Sequence, residues 1–147
     1  MEISFSKQQL KKLVEIAAIA EWVLTALDEE DDPRKDEYMK VLQKIYRSGY
    51  QNGMKEEIEH LEDVDEFFPT TDWEEGTEAR TFIEEFEEKS FWTELINRLT
   101  ERDLKIKFQG KEPKNFDEYY EKFEALSEKY VEEFKNNDLE NISIIKK

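Results

Sequence analysis

Between Leu10 and Leu27 the apolar residues Leu10, Leu13, Val14, Ala17, Ile19, Ala20, Val23, Leu24 and Leu27 recur at helical intervals. They cover more than half of a helical circumference, which predicts a central rather than a peripheral helix. Ser6 followed by Gln9 has the spacing of a capping box and marks its start. Asp32 and Pro33 then suit the cap and first turn of a second helix ending near Ser48, with Tyr38, Val41, Leu42 and Ile45 along one side. Gly49 fits the residue after its end.

Met54, Ile58, Leu61 and Val64 recur at helical spacing and predict a third helix, about Met54 to Phe67, stopped by Pro69. Thr77 or a neighbour starts a fourth, with Phe82, Ile83 and Phe86 inside. Ser90 caps a fifth, whose apolar positions include Phe91, Trp92, Leu95, Ile96 and Leu99. After the break "GKEPKN", Asn115 and Glu118 open a last helix carrying Phe116, Tyr119, Tyr120, Phe123, Leu126, Tyr130, Val131 and Phe134. "ISF" and "ISII", near the two ends, are β-prone and suit a ribbon pairing the termini. The expected fold is all-α: a bundle of about six helices in a single domain over residues 1–147.

Composition supports a folded chain. Charged residues make up 41% and hydrophobic ones 37%, a balance that leans toward disorder. Against it stand 10 Phe, 6 Tyr and 3 Trp, each able to bury roughly 150–250 Å². Cysteine is absent, which removes disulfides and thiolate chemistry. No apolar run approaches about 20 residues, and the first residues lack the order of a signal peptide, so a cytoplasmic protein is expected. "FFPTTDWEEG" followed by "SFWTELINRLTERDL" resembles a pattern in small acidic helical bacterial proteins of unknown function, over roughly residues 10–105. The resemblance implies no activity and no site residue, and the last helix lies outside it.

The net charge of −16 is concentrated. Residues 56–88 hold fifteen carboxylates against Arg80 alone, a net of −14. Such a block is either a solvated face that keeps the protein dispersed or a surface that steers a basic partner. Phe67, Phe68 and Trp73 interrupt it. They are either core anchors or an aromatic hot spot ringed by charge.

The one histidine, His60, forms Glu-x-x-His with Glu57, a spacing used in carboxylate-bridged metal bundles. A single histidine cannot complete such a site. On the expected helix His60 falls about 240° from Met54, away from the apolar stripe, with Glu56 and Asp63 as neighbours. A surface histidine–carboxylate contact is expected, and no metal ligand. "DEEDDP" and "EDVDE" do not fit a calcium loop. No phosphate loop, nucleophile elbow or HExxH motif occurs, so no catalytic residue and no cofactor is expected. Nucleic acid is not expected to bind directly, because no basic stripe is present.

The expected function is non-catalytic protein–protein interaction with a basic partner, in the manner of an immunity protein, antitoxin or inhibitor. Glu56, Glu59, Asp63, Glu66, Glu74, Glu75, Glu84 and Glu88 would supply the field, and Phe67, Phe68 and Trp73 the anchors. Three alternatives remain open. A nucleic-acid mimic needs rows of carboxylates, a small-molecule-binding or enzymatic bundle needs a sizeable pocket, and a structural subunit needs an exposed apolar patch.

Overall fold

A computed structural model describes residues 3–26, 32–108, 113 and 115–143. Among these the chain forms five α-helices, one turn of 3-10 helix and one two-stranded antiparallel sheet. The expectation of a mostly helical protein with a short ribbon is met; the number of helices and the place of the ribbon are not. The chain divides into two compact units, Met1–Phe86 and Glu87–Lys147.

In the first unit α1 spans Lys7–Thr25. Both halves of its capping box form: the Gln9 amide donates to Ser6 Oγ at 3.3 Å, and the Ser6 amide to Gln9 Oε1 at 2.9 Å. Leu27, its expected end, lies outside the described residues. The helix buries one stripe, Val14 and Ala17, while Ile16 and Val23 are exposed. It is therefore not the all-round central helix its composition suggests. A 3-10 turn, Pro33–Lys35, follows, with Asp32 accepting from the Arg34 amide at 3.0 Å.

Helix α2 spans Asp36–Gln51 and buries Leu42, Tyr46 and Gly49, spaced four and three residues apart. Tyr38 and Val41 are exposed, so the buried stripe is rotated from the expected one. Gly49 does not end this helix. It lies inside it, where a Cβ would come within 2.7 Å of Ile58 Cδ1 and 3.1 Å of Val14 Cγ2. The stop comes four residues later at Gly53, whose φ of +101° a side chain rarely tolerates. The Gly53 amide donates to Tyr50 O at 3.3 Å and the Met54 amide to Gly49 O at 3.1 Å, the bond pair of a Schellman cap.

The expected third helix is instead a hairpin. Strand β1, Ile58–Leu61, pairs with β2, Glu66–Pro69, in the register Ile58↔Pro69, Glu59↔Phe68, His60↔Phe67 and Leu61↔Glu66. Met54 and Ile58 satisfy either period, but Leu61 and Val64, which favoured the helix, are exposed. Burial of Ile58 and Phe67 and the Gln43 bonds hold the hairpin, and charge favours it too. A helix would set Glu59 over Asp63 and Glu62 over Glu66, each pair costing roughly 0.2–0.5 kcal/mol. The hairpin register puts no carboxylate opposite another. As for the ribbon expected between the termini, Ile3, Ser4 and Phe5 form no strand, and Ile144 and Ile145 lie outside the described residues.

Val14, Ala17, Leu42, Tyr46, Met54, Ile58 and Phe67 form the core of this unit, with Leu24, Met39, Ile45, Tyr50 and Trp73 packed against it. Short α3, Thr71–Glu75, leads into α4, Glu78–Lys107. Thr77 Oγ1 accepts from the Arg80 amide at 3.3 Å at its start. Ser90 begins no new helix. No glycine or proline lies between Glu78 and Lys107, and the glutamates and lysines around Ser90 are good helix formers, so helices expected as two are one.

In the second unit the remainder of α4 precedes α5, Phe116–Asn137, capped by Asn115 Oδ1 accepting from the Glu118 amide at 2.8 Å. Thr100, Leu104 and Phe134 are buried there, and Trp92 lies 5.4 Å from Phe134 between ring centres. Tyr130 donates to Asp103 Oδ2 at 2.5 Å.

Candidate functional site

The hairpin is tied to α2 at several points. Gln43 Nε2 donates to Phe67 O at 2.9 Å, and the Phe67 amide donates to Gln43 Oε1 at 2.8 Å. One side chain thus does for the outer edge of β2 what a third strand would do. At the turn, Asp65 adopts a left-handed φ of 55°. Its carboxylate accepts from Arg47 Nη2 at 2.8 Å and meets His60 Nε2 at 2.9 Å. These contacts, Arg47 first, hold the Asp65 carboxyl below its ordinary range. The His60 ring stacks on Phe67, 4.2 Å between centres and 6° from parallel, with the Arg47 guanidinium 4.9 Å from the Phe67 ring centre. His60 does make a carboxylate contact, but with Asp65 and from a strand; Glu56 and Asp63 are not the partners. The histidine closes a turn. Among the described residues no group of three or more His, Cys, Asp or Glu is placed to hold a metal ion.

Phe67 is only 4% exposed, so this expected anchor is spent on the core. Trp73 is half-buried against the same core and borders a shallow hollow with Lys11 and Lys12. Phe68 alone of the three shares a strand face with acidic positions, opposite Glu59 and beside the pair Leu61↔Glu66. Leu61 is 41% exposed.

The carboxylates divide by whether a cation reaches them. Glu57 faces Lys11 at 3.4 Å, Glu78 pairs with Lys12 and Glu84 with Arg80. Glu56, Glu59, Glu62, Asp63 and Glu66 are exposed and make no ion pair among the described residues. All five lie on or beside the hairpin; Asp72, Glu74, Glu75 and Glu87, equally exposed and without an ion pair among the described residues, lie outside it. Glu88 belongs to the second unit, where it accepts from Trp92 Nε1 at 2.6 Å.

Phe68 also lines a cleft of about 740 Å³ walled by the C-terminal half of α1, the end of β2, α3 and the start of α4. Its apolar lining includes Ala79 and Ile83, both buried, and its aromatic lining is Trp22 and Phe68. Glu21, Glu74, Glu75 and Glu84 supply the charge, against Arg80, which is engaged 2.9 Å from Glu84. Tyr46, fully buried, donates its hydroxyl to Glu21 Oε2 at 2.5 Å and so fixes that carboxylate at the cleft wall. Burial first, and then this bond, push the Tyr46 phenol far above its usual range. The Glu74 carboxyl is likewise raised, by partial loss of water and then by the negative charge of Glu21, with Arg80 opposing.

The structure thus gathers Phe68, Glu74, Glu75 and Glu84 of the expected residues around one cleft and sets Glu56, Glu59, Asp63 and Glu66 on or beside the hairpin. Glu21 and Trp22 were not foreseen. They lie in a segment whose charge is balanced, about fifty residues from the rest of the cleft in sequence. A polar–aromatic pair in the otherwise apolar second half of α1 was the available signal.

Comparison with protein-family models, with curated proteins and with solved structures finds no match to this chain. Among the described residues no helix is long and apolar enough to cross a membrane.

Proposed function

We propose that the protein is a non-catalytic binding module that docks a basic protein through the hairpin and the cleft beside it, in the manner of an inhibitor or immunity protein acting in the cytoplasm. The observation that carries this reading is the set of five hairpin carboxylates without cation partners among the described residues. They are held on a strand pair that Gln43 and Arg47 pin to α2. Like charges kept together on an anchored element oppose compaction. In return they give a directed field that speeds encounter with an oppositely charged surface by roughly 10 to 10³-fold.

The test is capture of partners from the native host's lysate at low salt, with and without excess duplex DNA. A single basic protein that resists DNA, elutes as salt rises, and is lost with Glu59→Gln, Asp63→Asn and Glu66→Gln combined is the expected result. Retention of that protein by the neutralised hairpin would overturn the reading, as would capture of nothing specific. A second reading, a receptor for a small organic cation, is favoured by the cleft alone, whose volume falls in the range of about 300–1,000 Å³ typical of ligand pockets.

A further inference from the structure

We infer that the cleft between α1, the end of β2, α3 and α4 receives an arginine side chain of the basic partner, held between Glu21 and Glu74 and against Trp22. The inference rests on the docking function proposed above and names the contact that would confer its specificity.

Four features of the cleft select this occupant. Its walls carry aromatic rings, Trp22 and Phe68, rather than charge alone, and aromatic faces attract cations. Its charge is mostly negative, four carboxylates against one cation. The single cation in the lining, Arg80, is already engaged by Glu84, which leaves Glu21, Glu74 and Glu75 to a ligand. Glu21 is oriented beforehand: Tyr46 holds Oε2, and Oε1 has no hydrogen bond among the described residues. Finally, Glu21 and Glu74 both line the cleft, and the negative charge of Glu21 bears on Glu74 with Arg80 opposing it, so a cation between the two carboxylates would add to that opposition.

A guanidinium suits this arrangement better than an ammonium. It is flat, so it can stack on an indole. It is weakly hydrated, so it loses less on entering a cleft with apolar walls. Its forked donors can meet carboxylates from two directions at once. The cleft is roomier than one side chain requires, so residues flanking the arginine would share it. Phe68 lines the cleft and shares a strand face with Glu59. A basic segment entering the cleft would therefore continue over the hairpin carboxylates.

The test is calorimetric titration of the full chain with a blocked tripeptide, acetyl-Gly-Arg-Gly-amide, alongside the citrulline version, the lysine version and free spermidine. Citrulline keeps the shape of arginine and removes its charge. The expected result is saturable binding of the arginine peptide, with a shift of the Trp22 indole resonance. Binding should be at least about tenfold weaker for citrulline, and weaker also for lysine and spermidine. Glu74→Gln should weaken the arginine peptide by about tenfold. The Glu74 side chain makes no hydrogen bond among the described residues, so this variant is expected to fold; Trp22→Leu, checked by circular dichroism, is the second variant. Equal binding of citrulline, or indifference to both substitutions, overturns the inference. Spermidine binding as tightly as the peptide overturns it in favour of a small-cation receptor. A captured basic partner lost on hairpin neutralisation but retained by Glu74→Gln and Trp22→Leu overturns the arginine contact and leaves the docking function standing. Loss of partner and peptide binding alike from the unmodified chain refutes both.

Discussion

Gly49 sits where α2 packs against Val14 of α1 and Ile58 of β1, and replacing it with alanine tests how tight that packing is. A Cβ there would lie 2.7 Å from Ile58 Cδ1, 3.1 Å from Val14 Cγ2 and 3.4 Å from Met54 Sδ. Carbon atoms rest at about 3.5–4.0 Å, so the tip of Ile58 must retreat by roughly 1 Å. Ile58 and Val14 are both 0% exposed, and a close-packed interior offers little space for that movement. Overpacking of this kind costs about 1–3 kcal/mol. Alanine in a helix interior returns about 1 kcal/mol relative to glycine. The expected net is a loss of about 1 kcal/mol, too small to be decisive alone.

The decisive measurement is a cycle with Ile58→Val, which deletes the clashing Cδ1. In the parent that change should cost about 0.5–1.5 kcal/mol. In the Gly49→Ala background it should cost about 1 kcal/mol less, because the methyl group it removes is the one being displaced. Urea unfolding followed by far-ultraviolet circular dichroism and by tryptophan fluorescence gives the four stabilities, provided the two probes coincide. If Ile58→Val costs the same in both backgrounds, or Gly49→Ala gains the full benefit of an unhindered helical site, the packing argument is wrong.

Gln43→Ala strips both hydrogen bonds from the Phe67 backbone and should cost about 2–3 kcal/mol in the same unfolding assay; a loss below about 0.5 kcal/mol would mean that water replaces the amide freely. Tyr46 holds its proton in the folded state at pH values where the unfolded chain, with a phenol near about pH 10, has released it. Its contribution is therefore complete below that value and declines as pH rises above it. Stability measured against pH should show this alkaline decline, and Tyr46→Phe should flatten it in part, since Tyr130 is raised as well. Thr100 is fully buried and its Oγ1 has no hydrogen-bond partner among the described residues, so Thr100→Val should raise stability by about 1 kcal/mol, seen as a higher urea midpoint; a lower midpoint would show that the hydroxyl is satisfied after all.

What could be read from the chain beforehand follows from how far each signal reaches. Caps are local. Ser6 with Gln9, Asp32 before Pro33, and Asn115 with Glu118 each act on backbone within three residues: the first forms the whole expected box, Asn115 accepts from the Glu118 amide, and Asp32 caps a 3-10 turn ahead of α2 rather than α2 itself. Gly49 and Gly53 show the limit of that reasoning. Both are four-atom stretches without a side chain near a helix end, and only the neighbours Ile58 and Val14, brought in by folding, make one an interior contact and leave the other to turn the chain. The segment from Met54 to Pro69 is harder still, because Met54 and Ile58 fit either period and Leu61 and Val64 point to the helix. Repulsion among its carboxylates could have separated the two readings: the helix stacks them and the hairpin does not. The same argument bears on the site. Charge density alone located the hairpin half, since the carboxylates there are close in sequence. It could not locate Glu21 and Trp22, which reach the cleft only because α1 packs against α2, where Tyr46 meets Glu21. A binding surface assembled from one acidic segment and one nearly neutral helix is legible in sequence only to the extent of its acidic part, and the aromatic wall that would give it selectivity comes from the other.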